Sequence, residues 1–127
     1  FRSLQKGLQE LGEEGAIQVF ENLATGNLLL GAVGVLQFEV VAQRLQTEYK
    51  VDAIFEPADI YTARWLTFPD EVTRRNFERE QQHRMAKDVD GNYVYLASTR
   101  YNLDVTREKW TKVGFHASRE HGQKLSN

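Results

Sequence analysis

The sequence predicts an α+β fold, a two-layer sandwich with helices on one face of a mostly antiparallel sheet. Three observations predict it. Ala16–Phe20 alternates apolar and polar residues and is separated from the apolar run Leu28-Leu29-Leu30 by a turn-rich segment, Asn22 to Asn27. Val35, Phe38, Ala42, Leu45 and Tyr49 recur at three- and four-residue steps, one face of a long helix. Short strand-like and helix-like stretches then alternate to the end of the chain.

Taken in order, Leu4, Leu8 and Leu11 define a first helix that closes near Gly12 or Gly15. The hairpin of Ala16–Phe20 with Leu28–Leu30 turns through Thr25-Gly26-Asn27. A Gly-x-x-Gly turn, Gly31 to Gly34, leads into the helix Val35 to Tyr49, whose inner face Leu36 and Val40 are expected to widen. Val51–Phe55 alternates and reads as a strand. Helix, strand, strand, helix, strand is a ferredoxin-like pattern without its first strand, which points to the chain being the C-terminal piece of something longer. Ile60 to Leu66 reads as a further strand. Pro69 suits the first turn of a helix running to about Arg84, with Glu71–Arg75 and Arg74–Glu78 as four-residue pairs. Asp90-Gly91 marks a turn, Tyr93–Ala97 a strand, Leu103–Trp110 a short helix and Val113–Ala117 a last strand; residues from His121 read as a tail. Two α/β units on one sheet, or two abutting small sheets, satisfy this pattern equally.

Composition narrows the function classes. The 127 residues suit one domain with a proper core. There is no apolar run near 18 residues and no signal-peptide pattern at Phe1-Arg2-Ser3. There are no cysteines, which removes disulfide, thiol and Cys-zinc chemistry. The net charge of −2 hides an asymmetry: residues 1–59 hold four basic and nine acidic side chains, whereas residues 100–127 hold six and three. A basic end permits contact with phosphate.

No Gly-x-x-x-x-Gly-Lys-Ser/Thr phosphate loop occurs, so this chain is not expected to hold a nucleotide itself. Gly31-Ala32-Val33-Gly34 matches the KH-loop spacing, but it follows a strand and lacks basic residues; close packing of strand against helix explains the glycines better. Asp88-Val89-Asp90-Gly91-Asn92 has its glycine at the wrong place for a calcium loop. His116 and His121 lack a third ligand, and Ser98 and Ser118 lack a nucleophile context. No catalytic, cofactor-binding or metal-binding residue is assigned. Arg64, inside the apolar Ala63-Arg64-Trp65, is either a protective edge-strand charge or a contact with another domain or with RNA.

The run Gly31-Ala32-Val33-Gly34-Val35-Leu36-Gln37-Phe38-Glu39-Val40-Val41, the word Thr62-Ala63-Arg64-Trp65, the pair Phe115-His116 and the triplet Arg119-Glu120-His121 resemble the third domain of the bacterial class-II peptide chain release factor, the translational GTPase of termination. The likeness covers almost the whole chain in one order. It implies an elongation-factor-G domain III-like fold, with residues 1–127 forming the C-terminal domain (domain III) of a larger cytoplasmic GTPase. The nucleotide-binding domain, where GTP or GDP is expected, would lie outside this chain. The resemblance implies a non-catalytic domain contacting the ribosome, both small-subunit RNA and protein, and the other domains of the same chain. The factor would act indirectly on class-I release factors by promoting their recycling, with no membrane partner. Candidate ribosome or interdomain contacts are Arg64, Arg100, Lys112, His116, Arg119 and His121, with Gly31 and Gly34 as the structural turn. The alternatives are a free-standing ferredoxin-like interaction or regulatory module, or domain III of an elongation-factor-G-like GTPase. Against the last, Val35-Leu36-Gln37-Phe38 stands where elongation factors have Glu-Leu-His-Leu.

Overall fold

A computed structural model describes residues 2–32 and 34–117. The first helix, α1 (Arg2–Glu14), ends at Gly15 with φ 87°. The Ala16 N–H reaches back to Leu11 O (2.9 Å) and the Gly15 N–H to Gly12 O (3.1 Å), a left-handed glycine cap that satisfies the last carbonyls. Strands β1 (Gln18–Asn22) and β2 (Leu28–Gly31) form the expected hairpin, with Val19 opposite Leu30 and Phe20 opposite Leu29. Helix α2 (Val35–Tyr49) has the expected bounds and ends on Lys50, which takes the left-handed conformation without being glycine. There follow β3 (Thr62–Thr67), α3 (Glu71–Gln81), a 3₁₀ turn (Gln82–Arg84), β4 (Met85–Lys87), β5 (Tyr93–Ala97), α4 (Arg100–Lys109) and β6 (Gly114–His116).

All strand pairs are antiparallel, and one six-stranded sheet runs β2-β1-β4-β5-β3-β6. The fold is α+β and ferredoxin-like, and the two α/β units share that single sheet. Register and alternation assign the faces. Val19, Leu28 and Leu30 meet α1 and α2 through Leu8, Leu11, Val41 and Leu45. Leu66, Met85, Tyr95 and Ala97 lie on the same face and meet α3 and α4 through Phe77 and Leu103. Phe20, Trp65, Ala86, Val94 and Leu96 make a third cluster on the opposite face. There the Phe20 and Trp65 rings stand 5.9 Å apart although β4 and β5 lie between their strands. In a flat sheet three strand spacings of about 4.8 Å would hold them about 14 Å apart. The sheet is therefore curled around this face, with Ala86 and Val94 beneath the two rings.

Several expectations are corrected. Val51–Phe55 is not a strand. Val51, Ala53 and Phe55 are indeed half-buried and Asp52, Ile54 and Glu56 exposed, but the inward residues pack on the α1–α2 core and no ladder forms. Pro69 precedes α3 rather than opening it, because Asp70 caps the helix by accepting the Thr73 N–H at 2.7 Å. Helix α4 starts three residues early, since the Thr99 hydroxyl accepts the Asn102 N–H at 3.0 Å. The three-residue β4, between the 3₁₀ turn and the Gly91 turn, is an element the sequence pattern does not predict. Phe38 is only half-buried, against Phe55 (ring centroids 5.8 Å). Leu36 and Val40 point outward, 72% and 54% exposed. Gly31 ends β2, and a Cβ there would crowd Gln18 and Phe20 of β1 rather than a helix. Gly34 is the N-cap of α2 with open space where a Cβ would stand.

Helices α1 and α2 cross closely at Gly7, where a Cβ would come within 2.7 Å of Leu45 Cδ2. Arg44 fastens the crossing by donating to Glu14 (2.5 and 3.0 Å) and to Glu48 (2.7 and 3.2 Å), and the Tyr49 hydroxyl donates to Glu10 at 2.8 Å. Hydrogen bonds from Arg44, with its charge, hold both the Glu14 and Glu48 carboxyls below their ordinary value of 4.5. Carboxyls held down in the folded state stabilise it above their unfolded value, and that contribution is lost as pH falls through the depressed values. Urea midpoints between pH 6 and pH 3 should therefore fall below about pH 4.5, and Arg44→Gln should flatten the fall. An unchanged pH profile in the variant would contradict the clamp.

Phe77 is fully buried and packs edge-on against Phe68, Tyr95, Trp110 and Phe115 at centroid distances of 5.2 to 6.1 Å. Phe77→Ala should cost about 3–5 kcal/mol by urea denaturation. Leu36→Ala, on the outward face of α2, should stay within about 0.5 kcal/mol.

Candidate functional site

Four of the six candidate contact residues fall in the described structure; Arg119 and His121 lie outside the described residues. His116 stands on β6, an edge strand, opposite Trp65. Its Nε2 is 2.9 Å from the Thr67 hydroxyl. That contact needs Gly114: a Cβ there would stand 2.3 Å from Thr67 Oγ1 and 2.8 Å from His116 Nε2. Lys112 lies in the turn between α4 and β6, close enough to Asp70 for its charge to act there. The Thr73 hydroxyl and N–H, with Lys112, hold the Asp70 carboxyl below its ordinary value. Since Thr67 runs through Phe68 and Pro69 into Asp70, His116 and Lys112 come to one corner, where β3 passes into α3 beside β6.

Arg64 and Arg100 stand apart from that corner. Arg64 pairs in register with Tyr95 and so faces the helical side, whereas His116, opposite its neighbour Trp65, faces the other. Its guanidinium is turned onto Thr62 Oγ1 (2.8 Å) and Ala63 O (2.9 Å). Arg100 opens α4, at the opposite end of that helix from Lys112, about 15 Å of helix away. It makes a loose ion pair with Asp104 at 3.9 Å. The six candidates are therefore not one patch.

The structure adds residues that are absent from the sequence-derived candidates. Arg107 is exposed in the last turn of α4 and, like Lys112, makes no ion pair among the described residues. Lys109 differs: it binds Glu80, whose other oxygen accepts the Trp110 indole N–H at 2.9 Å, so this lysine joins α3 to α4. A recess of about 410 Å³ beside Arg107 is lined by Glu108, Thr111, Val113 and Phe115 among others. Composition weighs Arg107, Lys109 and Lys112 alike; only packing separates a strut from an available charge. Tyr101 and Val105, 74% and 44% exposed, give α4 an apolar outer stripe beside Arg100. On the curled face, a second recess of about 320 Å³ is lined by Gln18, Phe20, Gly31 and Trp65, and the Trp65 indole donates to Asp88 at 2.9 Å. No group of three or more His, Cys, Asp or Glu residues with metal-holding geometry occurs among the described residues, and no described helix is long and apolar enough to cross a membrane.

The family model for the class II release factor RF3, C-terminal domain, matches residues 1–107. The chain belongs to this family. It is also 81% identical over 125 residues to peptide chain release factor 3 of Aromatoleum aromaticum, covering 98% of this chain and 23% of that relative. The chain thus spans less than a quarter of the length of the release factor it matches. In family terms, the matched region takes in the whole α1–α2 unit and most of the α3–α4 unit and stops before Lys112 and β6.

Gly114→Ala tests whether the Thr67–His116 contact is a built feature of the corner. The added methyl should break it, and the His116 ring resonances should move in an NMR spectrum while the core amide resonances of β5 stay in place. Unmoved His116 resonances would show that the contact carries nothing.

Proposed function

We propose that this chain is the C-terminal domain, domain III, of a translational GTPase of termination, and that it acts there as a binding and relay element. The observation that carries this reading is the 81% identity over nearly the whole chain to a peptide chain release factor 3. In this reading GTP binds in a preceding domain; residues 1–127 contain no phosphate loop. The whole factor, working in the cytoplasm, uses GTP to promote the departure of class-I release factors from the ribosome after peptide release. The domain contacts ribosomal RNA and protein on one side and its companion domains on another.

The physical case for relay rests on rigidity. Both faces of the sheet are buried, α1 is clamped to α2 through Arg44 and α3 to α4 through Glu80, so a push at one surface moves the body as a unit. Exposed cations at the basic end, Arg100, Arg107 and Lys112, supply phosphate contacts, and Arg119 and His121 extend the same end in sequence.

In the full-length factor, Arg107→Ala with Lys112→Ala should weaken co-sedimentation with bacterial ribosomes. The salt slope of binding should fall by roughly 0.7–0.9 for each phosphate contact removed. The melting curve should be nearly unchanged, as for most exposed substitutions, within about 0.5 kcal/mol. The function itself is tested by GTP-dependent release of a codon-reading factor from post-termination ribosomes. The full-length protein should accelerate it, and a factor lacking residues 1–127 should bind GTP yet fail to. Undiminished activity without the domain would overturn the reading.

A further inference from the structure

A cluster of hydrogen-bond donors stands at the opposite end of α4 from Lys112. Arg84 closes the 3₁₀ turn and Ser98 follows β5, and each is anchored by a fully buried neighbour, Met85 and Ala97. The Arg84 guanidinium donates to Ser98 Oγ at 2.7 Å, and the Asn102 side-chain amide donates to the same oxygen at 2.7 Å. With both lone pairs of that oxygen taken, the Ser98 hydroxyl has its own proton left to donate. Arg84, Ser98 and Asn102 are all half-buried, so the donors are held in place while one side stays open to solvent. The other half-buried arginines are occupied. Arg44 holds Glu14 and Glu48, Arg74 holds Glu71 and Glu78, and Arg64 is turned onto Thr62 and Ala63. Arg84 makes no ion pair among the described residues, and its one hydrogen bond there is to Ser98.

We propose that Arg84, Ser98 and Asn102 form a binding site for a phosphate group, with the exposed Arg100 as a second cation beside it. Apart from the Asn102 side-chain carbonyl, every group left over in the cluster is a donor, which calls for an anion rather than a metal ion. The guanidinium fork matches two oxygens of one acceptor group. The Ser98 hydroxyl and Arg100 then need further oxygens, which a phosphate has and a carboxylate lacks. Tyr61, whose N–H donates to Ala97 O at 2.7 Å, and Tyr101, next to Arg100, are 56% and 74% exposed and give a nucleotide's base an aromatic neighbour. The α4 terminus is not what makes the site: the Thr99 hydroxyl already takes the Asn102 N–H, and Arg84 comes from a different element. The site is also separate from the basic corner, since α4 puts about 15 Å between Arg100 and Lys112. It stands independently of the ribosome contacts proposed there. The phosphate belongs either to an RNA backbone or to a free phosphate, and the experiment separates the two.

The experiment uses the full-length factor, loaded with GDP and freed of excess, with its arginines labelled at Nε. The Arg84 Nε–H resonance, assigned by its loss in Arg84→Lys, should move saturably with inorganic phosphate, and chloride at the same ionic strength should leave it in place. Ser98→Ala should raise the phosphate Kd by about tenfold, and an unchanged melting curve shows that this variant is folded. Arg84→Lys, which keeps the charge and loses the fork, is the second variant; read by the phosphorus NMR line width of bound phosphate, it should weaken binding similarly. A single-stranded uridine oligonucleotide then identifies the source. If it competes with phosphate and loses affinity in both variants, the ligand is an RNA phosphodiester. If phosphate binds and the oligonucleotide does not compete, the ligand is a free phosphate. Either result supports the site. A resonance that phosphate does not move, or moves no more than chloride does, overturns it. So does an equal loss of phosphate binding in Arg79→Gln, an exposed arginine of α3 with no ion pair among the described residues.

Discussion

Phe20 on β1 and Trp65 on β3 touch across two intervening strands, and that contact decides the shape of the domain. It forces the sheet to curl. It also requires small or slender residues beneath the rings, which Ala86 and Val94 supply. The ladder that joins the two α/β units is short: β1 meets β4 through only Glu21–Lys87 and Asn22–Ala86. Beyond that ladder the α1–α2 unit is tied to the rest by the aromatic contact, by Val89 of the β4–β5 turn packed on the α1–α2 core, and by Leu23 packed on the α3–α4 core. With them, the two helical layers on the other face are held at a fixed relation.

This arrangement leaves a limited set of surfaces for partners. The sheet faces are occupied, one by helices and one by its own curled core. What remains are the two edge strands, the outer sides of the helices and the corners where strands pass into helices. The surfaces differ in character. At the β6 end, His116, Lys112 and Arg107 gather near the C-terminal end of α4, where cations are also favoured by the helix dipole. On the outer side of α2, Leu36 and Val40 are exposed beside Glu39.

Much of the fold was legible in the sequence. The α2 bounds and the β1–β2 hairpin follow from periodicity and from the Thr25-Gly26-Asn27 turn, both local signals. Val51–Phe55 misled because alternation reports which side chains face a core, not whether the backbone has a strand beside it. Met85–Lys87 escaped because three residues hold too little pattern; its strand character comes from the neighbours β1 and β5. The capping residues Asp70 and Thr99 were readable signals that outrank Pro69 and the apolar Leu103 in fixing helix starts. The outward turn of Leu36 and Val40 was not readable: a helix face of five apolar residues can absorb two more, and only the close crossing with α1 shows the inner side to be full. For the candidate contacts, charge located the basic end, but pairing decided which cations are available. Lys109 is committed to Glu80, Arg64 is turned onto its own strand, and Thr67, the partner of His116, carried no signal at all.

The central claim is that the two α/β units form one body because of the curled aromatic face. Hydrogen exchange across a denaturant series tests it most directly, following amides of Leu8–Leu11 in one unit and Tyr95–Ala97 in the other. The account predicts that both sets converge on one opening free energy with one denaturant dependence, and that Phe20→Ala separates them by lowering the α1–α2 set first. Two distinct openings in the unmodified protein, with α1–α2 released while β5 stays protected, would contradict it.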